Sequence, residues 1–488
     1  MSFNSSQMIH QLRADFEQLL ALVTGPEAHT ATIDQMERSL FRQVLRLGFK
    51  LLQLFVMMRV EAEGHTRLVR QDGAVLAYHS QKPRDYFSIF GKLTFERAYF
   101  YARGQGGQCP LDEALSLAER CYSDLLMESA ELLGVEGAYS KGLQVVARLL
   151  GLNLAELALE TAVAEHSQMV KAYYAQKASF PIAEEGPILV AQADGKGVPM
   201  VRRETADLKV RRGKGDKKTR KKEAMATAVY TIEPYHRTPQ DVVNALFKKG
   251  DPPPGRPAPR HKQVFASLRG KDQAIKRLAA WTARREGEHI RERVALTDGA
   301  EPLQKHVLAK LAGFTLVLDI IHVDEHLWQA GTAIYGETDP HRTEWVEAQM
   351  LDILSSRSDQ VIQRLEDKAA TLQRGSQAAK ALRGVANYLR RNQPYMDYAQ
   401  YLRRGWPIGT GVVEGTCRHL VKDRMELSGM RWTIAGAGAL LALRAVNENA
   451  DWDDFHNFRR IRRHQRRYGT PMNTDWLEQV ERLEINQF

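Results

Sequence analysis

Two aspartates stand where strands are expected to end, and carboxylates in such positions are well placed to bind a metal ion. Asp194 follows the apolar run at residues 188–190 and leads into a turn bounded by glycines. Asp298 follows a second run at residues 294–296, and leucines at helical spacing come after it. An Asp-Gly pair is usually only a turn, so neither aspartate alone indicates a site.

The third acid of the pattern, Glu414, lies in a helix that begins after the Pro/Gly-rich stretch at residues 405–411. Val413, Cys417 and Leu420 define an apolar face of this helix, and Glu414, Arg418 and Lys422 define another. An Asp from one strand, an Asp from a second strand and a Glu from a late helix form a metal-binding pattern. The sequence therefore predicts Asp194, Asp298 and Glu414 as metal ligands.

Three carboxylates favour one kind of metal chemistry. Hard oxygen donors suit Mg²⁺ or Mn²⁺ rather than zinc, and the chain has no cysteine cluster. Two such ions about 4 Å apart activate a water or a 3′-hydroxyl and stabilise the leaving oxygen during in-line displacement at a phosphodiester. The pattern therefore predicts two ions and a nucleic-acid substrate.

Composition agrees with a nucleic-acid partner. The net charge is +10 over 488 residues, which favours an anionic partner, and 43% hydrophobic residues allow a large core in several domains. The three cysteines form no CxxC pattern, and their odd number argues against a disulfide framework. No apolar run is long enough to span a membrane, and residues 1–16 do not resemble a secretion signal. We expect a cytoplasmic protein with no membrane partner.

The N-terminal region is predicted to be mostly helical. Residues 6–24 have amphipathic spacing, and Thr32 with Gln35 predicts a capping box that starts a helix ending near residue 60. Residues 86–101 change to β-branched and aromatic types around Gly91, which predicts a hairpin.

A possible helix-turn-helix follows. One helix is predicted to end at Gly151 and a second to span residues 155–166, an arrangement compatible with insertion of the second helix into the major groove. The second helix carries three glutamates and few basic residues, so an ordinary helical hairpin explains the pattern as well.

The second half of the chain alternates between strand and helix signals. The basic stretch at 202–222 is predicted to be a loop between strands, residues 265–285 to be helical, and residues 314–326 to contain a buried strand with Asp319 and His322 near its end. Residues 344–402 are predicted to form charged helices. The basic C-terminal stretch at 456–468 is predicted either to bind phosphate or to be a solvated tail.

Several segments resemble a known family. They are ADGKGVPM, LTDGAEPLQ followed by LDIIHVDEHLW, GWPIGTGVVEGTCRHLVKDRMELSGMRW, GKLTFERAYFY and the PLDE segment. They resemble the Kra-type family of bacterial insertion-sequence DDE transposases and, more distantly, the Mutator-like group. The resemblance spans residues 85–455, and its most specific part is the segment that contains Glu414.

The resemblance implies an α/β catalytic core of RNase H-like type, a mixed sheet flanked by helices, with a largely α-helical N-terminal region and an α-helical insertion before the last acid. The expected domains are an N-terminal region that binds DNA ends (1–170), the first part of the core (180–343), the insertion (344–404), the last core helix (405–450) and a basic C-terminal tail (451–488).

The implied activity is metal-dependent cleavage of DNA at insertion-sequence ends and transfer of the 3′-hydroxyl strand into target DNA. Asp194, Asp298 and Glu414 would be catalytic and hold the metal ions. The partners would be double-stranded element ends and target DNA, and a homodimer or larger assembly is expected because two ends must be handled together. No heptad is evident in the sequence. The alternatives are a transposase-derived DNA-binding protein without transposition activity and an RNase H-like nuclease that lacks strand transfer.

Two residues, Asp298 and Asp319, are candidates for the second acid of the triad. Asp298 ends the strand expected to carry it, while residues 319–322 match the (C/D)xxH motif that follows this strand in the Mutator-like pattern. We favour Asp298 as the ligand, with Asp319 and His322 as supporting residues that orient a phosphate or donate a proton. The reverse assignment, and a purely structural His322, stay possible. Only Cys109 remains where some relatives carry several cysteines, so no zinc site is expected.

Basic residues are expected to contact DNA in two places, with solvated surface charge as the alternative in each. The first set lies in the basic loop and the second follows Glu414. They are Arg211, Arg212, Lys217, Lys218 and Arg220, and Arg418, Lys422 and Arg424. Trp432 is expected to pack rather than to stack on a base.

Overall fold

A computed structural model of the chain describes residues 4–70, 72–205, 221–250 and 255–474. The Cα positions divide it into two compact units. Unit 1 consists of Met1–Met169 with Trp452–Phe488, and unit 2 is Val170–Asp451.

Nine strands are found among the described residues. In chain order they are β1 (Arg67–Val69), β2 (Val75–Ser88), β3 (Gly91–Ala102), β4 (Gly106–Gln108), β5 (Ile188–Pro199), β6 (Lys221–Ile232), β7 (Arg260–Ser267), β8 (Glu292–Thr297) and β9 (Thr315–Leu318).

The described residues also form nineteen α-helices. In chain order they are α1 (Ser5–Thr24), α2 (Ile33–Glu61), α3 (Pro110–Ala114), α4 (Asp124–Glu136), α5 (Tyr139–Leu150), α6 (Glu156–Ser167), α7 (Val170–Gln176), α8 (Pro239–Leu246), α9 (Lys271–Ala283), α10 (Glu301–Lys310), α11 (Ile320–Tyr335), α12 (His341–Leu354), α13 (Ser358–Thr371), α14 (Gln377–Asn392), α15 (Tyr398–Arg403), α16 (Gly411–Thr416), α17 (Asp423–Met425), α18 (Ile434–Glu448) and α19 (Trp452–Tyr468). A π-helical segment, Cys417–Lys422, connects α16 to α17.

Unit 1 begins with the two predicted N-terminal helices, α1 and α2. The Thr32 hydroxyl accepts from the Gln35 amide and the Gln35 side chain accepts from the Thr32 amide, so the capping box that starts α2 is confirmed. Strands β2 and β3 form the predicted hairpin, in which Ser88 pairs with Gly91. They are the central strands of a four-stranded sheet ordered β1-β2-β3-β4.

The two helices of the possible helix-turn-helix are present as α5 and α6. Helix α5 ends at Gly151, which adopts the left-handed conformation (φ 70°) that favours glycine. Helix α6 buries Leu159, Ala162 and Val163. Binding of α6 to DNA remains a prediction.

The basic C-terminal stretch forms helix α19 and belongs to unit 1, whereas the sequence suggested a separate tail. Its arginines pair with acids of α4: Arg459 and Arg463 bond to Asp124, and Arg460 bonds to Glu128. These three arginines are therefore used in holding α19 in place rather than in forming a solvated basic surface.

Unit 2 is built on a five-stranded mixed sheet ordered β7-β6-β5-β8-β9. Strand β6 is antiparallel to β5 and β7, whereas β5, β8 and β9 run parallel. The expectation of helix from residue 265 is wrong, because Arg260–Ser267 forms β7. Its run of four buried residues, Gln263 to Ala266, pairs with β6, and tertiary pairing of this kind overrides the local sequence signal.

Helices α12–α15 form the stretch predicted as an insertion, but their core is continuous with that of the sheet. One hydrophobic cluster contains Val190 and Val294 of the strands together with Met350 and Leu382 of these helices. Because the helices bury side chains against the sheet, they act as part of its support. No described helix is long and apolar enough to cross a membrane.

Candidate functional site

Three aspartates lie side by side where the parallel pairing of β5, β8 and β9 stops. Asp298 and Asp319 directly follow β8 and β9, whereas β5 continues through Asp194 to Pro199 in its pairing with β6, so the expectation of a strand end and a turn at Asp194 is wrong. Gln192 of β5 is level with Leu296 of β8, so Asp194 and Asp298, each two residues further on, are level as well. Thr297 of β8 pairs with Leu318 of β9, which places Asp298 level with Asp319. Neighbouring strands are about 4.8 Å apart. The sheet thus brings Asp194, Asp298 and Asp319 into one row, with Asp298 in the middle.

Asp194 is half-buried, and burial is the main reason why the pKa of its carboxyl is raised. One carboxylate oxygen accepts the Gly195 amide at 2.6 Å, and the Cys417 thiol bonds to the same carboxylate. The negative charge of Asp298 raises the pKa further, whereas His322 lowers it. A carboxylate that is desolvated beside another carboxylate is stabilised by a nearby cation.

Asp298 is held in place through both its side chain and its backbone. Its carboxylate accepts the Ala300 amide at 2.9 Å within the turn. Helix α14 reaches this turn from outside: the Tyr388 hydroxyl donates to the Asp298 carbonyl at 3.1 Å, and Arg391 donates to the Gly299 carbonyl at 2.9 Å. Gly299 has φ +86°, and a Cβ there would lie 2.7 Å from Leu318, so glycine is needed at this turn.

Asp319 is fully buried and accepts four hydrogen bonds. One carboxylate oxygen accepts the amides of Ile321 and Thr410, at 3.2 and 3.1 Å. The other accepts the Thr410 hydroxyl at 2.8 Å and faces His322 Nδ1 at 2.6 Å. Four donors occupy the usual acceptor positions of a carboxylate, which leaves Asp319 little capacity to bind a cation.

Glu414 reaches the site because two buried polar residues hold the start of its helix. Gln192 accepts the Val413 amide at 2.9 Å, and the Thr410 hydroxyl contacts Glu414 at 2.9 Å as well as Asp319. One hydroxyl has one proton, so it donates to only one carboxylate at a time. When it bonds to Asp319, the Glu414 carboxylate is available to a cation.

The pKa of the His322 imidazole is raised, which favours its protonated form at neutral pH. Its hydrogen bond to Asp319, above all, raises the pKa of the imidazole from 6.5 to about 9. Asp298 and Glu325 raise it in the same direction. A protonated imidazole has no lone pair for a metal, but it can donate a hydrogen bond to an anionic oxygen.

The tightest grouping of donor atoms differs from the predicted triad. Atoms of Asp319, His322 and Glu414 lie within 4.8 Å of one another, while Asp194, Asp298 and Glu414 form no such group among the described residues. Asp319 is saturated by hydrogen bonds and His322 is protonated, so Glu414 is the member of the group best suited to a cation. Asp194, Asp298 and Glu414 are all carboxylates, and oxygen donors of this kind are the ones that Mg²⁺ prefers.

The structure places the predicted DNA-binding residues in different surroundings. Those of the basic loop, Arg211, Arg212, Lys217, Lys218 and Arg220, lie outside the described residues. Arg418 and Lys422 are exposed on the segment after Glu414.

Arg424 requires a correction as a DNA contact. Its side chain is fully buried, with the guanidinium 5.1 Å from the centre of the Trp432 ring, and a buried guanidinium does not reach backbone phosphates. Trp432 itself donates to the Met425 carbonyl at 2.9 Å, which agrees with the expected packing role.

Sequence reasoning missed Thr410, Gln192 and Tyr388. Thr410 stands four residues before Glu414 in the segment already recognised as special, so its position was a usable signal. Gln192, a polar residue in an otherwise apolar strand, was a weaker one. Tyr388 is remote in sequence from the site, and only the packing of α14 reveals its contact with the Asp298 turn.

No family model and no curated protein matches the chain. Among solved structures, the chain is similar to the Drosophila P element transposase strand transfer complex, with 10% sequence identity and a TM-score of 0.24. The similarity covers 74% of this chain and 86% of that chain. A TM-score at this level carries no argument about function, and the proposal below rests on the side chains of this chain.

Proposed function

We propose that the protein is a DDE-type transposase of the Kra-type family, a nuclease and strand transferase that acts on double-stranded DNA with Mg²⁺ or Mn²⁺. The observation that carries the proposal is the row formed by Asp194 within β5 and by Asp298 and Asp319 directly after β8 and β9, with Glu414 of α16 close by through its contact with Thr410. A mixed sheet with flanking helices is compatible with an RNase H-like core, which is the fold that we propose.

Asp194, Asp298 and Glu414 are the proposed ligands. Bound ions would activate a water or 3′-hydroxyl and neutralise charge that develops on the phosphate. Asp319 has a different role in this proposal, because its four hydrogen bonds hold His322 and Thr410 rather than an ion. The charged imidazole of His322 donates a hydrogen bond to a phosphate oxygen or to the leaving oxygen. Arg418 and Lys422 provide exposed positive charge for the DNA backbone.

The test is a cleavage and strand-transfer assay with Mg²⁺ on labelled duplexes that carry the DNA flanking the coding region. We expect Asp194→Asn, Asp298→Asn and Glu414→Gln to lower the rate by about 100- to 1,000-fold, the effect of losing several kcal/mol of transition-state stabilisation. Asp319→Asn, which removes a positioning contact, should lower it by about 10- to 100-fold. Asp359→Asn on the exposed surface of α13 serves as the control for the loss of one charge.

The pattern of losses distinguishes the assignments. Full activity of Asp298→Asn beside an inactive Asp319→Asn would move the second ligand to Asp319. Cleavage without joining would identify a nuclease that lacks strand transfer. Binding of the duplex ends by the wild-type protein, with no cleavage in Mg²⁺ or Mn²⁺, would indicate a transposase-derived DNA-binding protein.

A further inference from the structure

A second group of possible metal ligands lies inside unit 1, where three helices meet. Glu131 of α4, His166 of α6 and His456 of α19 each offer one donor atom, and these atoms lie within 4.8 Å of one another. The side chain of Glu131 is fully buried and that of His456 is 1% exposed, whereas that of His166 is 17% exposed. Because the three residues come from distant parts of the chain, only the fold brings them together.

The donor atoms of this group face one another without ordinary partners. Both carboxylate oxygens of Glu131, Nδ1 of His166 and Nε2 of His456 are buried atoms with no hydrogen-bond partner among the described residues. Nδ1 of His166 lies 2.6 Å from one oxygen of Glu131, at an angle unsuited to a hydrogen bond, and Nε2 of His456 lies 3.7 Å from the other oxygen. Buried polar atoms without partners are unfavourable, so four of them in one place indicate a bound species.

The distances and the donor types suit a zinc ion. Ligand atoms that lie about 2.0–2.1 Å from zinc in a tetrahedral site are about 3.3 Å from one another. The two nitrogen–oxygen distances, 2.6 and 3.7 Å, lie on either side of this value, so small rotations of the side chains bring the donors to it. One carboxylate with two imidazoles is a donor set of zinc sites, whereas Mg²⁺ prefers oxygen ligands alone.

Arg459 of α19 contacts the other nitrogen of each imidazole. Its Nη1 lies 3.1 Å from Nε2 of His166, and its Nε donates to Nδ1 of His456 at 3.2 Å. A metal-bound imidazole carries its proton on the nitrogen away from the metal, so binding of an ion requires Arg459 to give up both contacts. Its bond to Asp124 can remain, and Nδ1 of His456 lies 3.6 Å from the Glu128 carboxylate, to which it can then donate. Arg459 therefore competes with the ion, through these hydrogen bonds and through its charge.

We propose that Glu131, His166 and His456 bind one Zn²⁺ ion, or a transition-metal ion of similar chemistry, with water as the fourth ligand of a tetrahedral site. The ion has a structural role, because it links α19, which follows unit 2 in the sequence, to α4 and α6, which precede it. The site uses none of the three cysteines and none of the proposed Mg²⁺ ligands. It is therefore independent of the proposed function.

The test is metal binding by the full chain without DNA, after removal of bound metal with a chelator. All measurements use a background of Asp194→Asn and Glu414→Gln, so that two of the proposed Mg²⁺ ligands do not contribute. We expect one zinc ion per chain in equilibrium dialysis and a higher melting temperature in micromolar Zn²⁺, with no such rise in Mg²⁺ at the same concentration. Co²⁺ in place of zinc should give the visible absorption bands of tetrahedral coordination.

Substitutions in the same background test each part of the site. Glu131→Gln and His456→Gln each remove one of three ligands and should weaken zinc binding by at least about 100-fold. His29→Gln, at an exposed histidine of unit 1 outside the group, should leave zinc binding unchanged. Arg459→Met removes the competing donor and should strengthen zinc binding by about 10-fold, since its hydrogen bonds to the imidazoles no longer have to break.

Circular dichroism and gel filtration establish that each variant is folded, and the two ligand variants decide the proposal if Arg459→Met does not fold. Absence of zinc binding at micromolar concentration, or equal zinc binding by Glu131→Gln and His456→Gln, overturns the proposal and identifies the group as a hydrogen-bonded network around Arg459. An unchanged or lower zinc affinity of folded Arg459→Met overturns the competing role of Arg459. These measurements need no DNA cleavage, so their failure and the failure of the proposed activity are distinguishable.

Discussion

Replacing Asp319 by Asn isolates the role of one buried charge. The amide oxygen can keep the bonds from the amides of Ile321 and Thr410, but an NH₂ group takes the place of the oxygen that faces His322. We expect the pKa of His322 to fall from about 9 toward its ordinary value of 6.5, because the hydrogen bond to Asp319 is the largest cause of the rise.

The expected effect on stability follows from this pKa. A rise from 6.5 to about 9 corresponds to about 3 kcal/mol. The His322 side chain is 31% exposed, so screening by water reduces this figure to about 2 kcal/mol. Since the folded-state pKa is the higher one, the stabilisation is complete below the unfolded pKa near 6.5 and is lost as pH rises through about 9.

Urea unfolding at pH 6 and at pH 10 checks this expectation. The free-energy difference between wild type and Asp319→Asn should be about 2 kcal/mol larger at pH 6 than at pH 10. In a His322→Gln background the same substitution should show no such dependence on pH, which makes the pair a double-mutant cycle. An equal difference at both pH values, or a His322 resonance that titrates near 6.5 in the wild type, would refute the reasoning.

Substitutions at two further positions test other parts of unit 2. Burial raises the pKa of Asp324 from 3.8 to about 6, so the ionised carboxylate of the folded protein costs stability above pH 6. Asp324→Asn should therefore raise the melting temperature at pH 7.5 by the equivalent of about 1 kcal/mol. The gain should vanish near pH 4, where the folded-state carboxyl is protonated. Gln192→Ala leaves the buried Val413 amide without its acceptor and should cost about 1–3 kcal/mol in urea unfolding. Gln192→Glu keeps the acceptor oxygen but sets a buried carboxylate against the Gly409 carbonyl, so it should cost at least as much.

The sequence predicted those features of the fold that depend on residues close together in the chain. The capping box at Thr32, the hairpin around Gly91 and the end of α5 at Gly151 each depend on residues a few positions apart. Strand β7 was missed because its identity depends on pairing with β6 rather than on its own residues.

The site was predicted in part for the same reason. Apolar strand signals pointed to Asp194 and Asp298, but the end expected at Asp194 was wrong because β5 continues to Pro199, and the common level of the two residues is a property of the register between β5 and β8. The proposal that Asp298 rather than Asp319 is the ligand rests on the hydrogen bonds around each carboxylate, which no sequence motif contains. The burial of Arg424 could not be read from its place beside Lys422, because it depends on packing under Trp432.

The two hydrogen bonds that α14 donates to the turn at Asp298 have a consequence for engineering of this residue. Tyr388 and Arg391 bond to the carbonyls of Asp298 and Gly299, so the backbone at this position is fixed by contacts that no side chain of residue 298 makes. Substitution by His or Cys removes the bond that the Asp298 carboxylate accepts from the Ala300 amide, but the two carbonyl contacts should still hold the backbone of the turn. Under the proposed function, residue 298 is therefore a suitable position at which to test a change of metal preference while the scaffold stays the same.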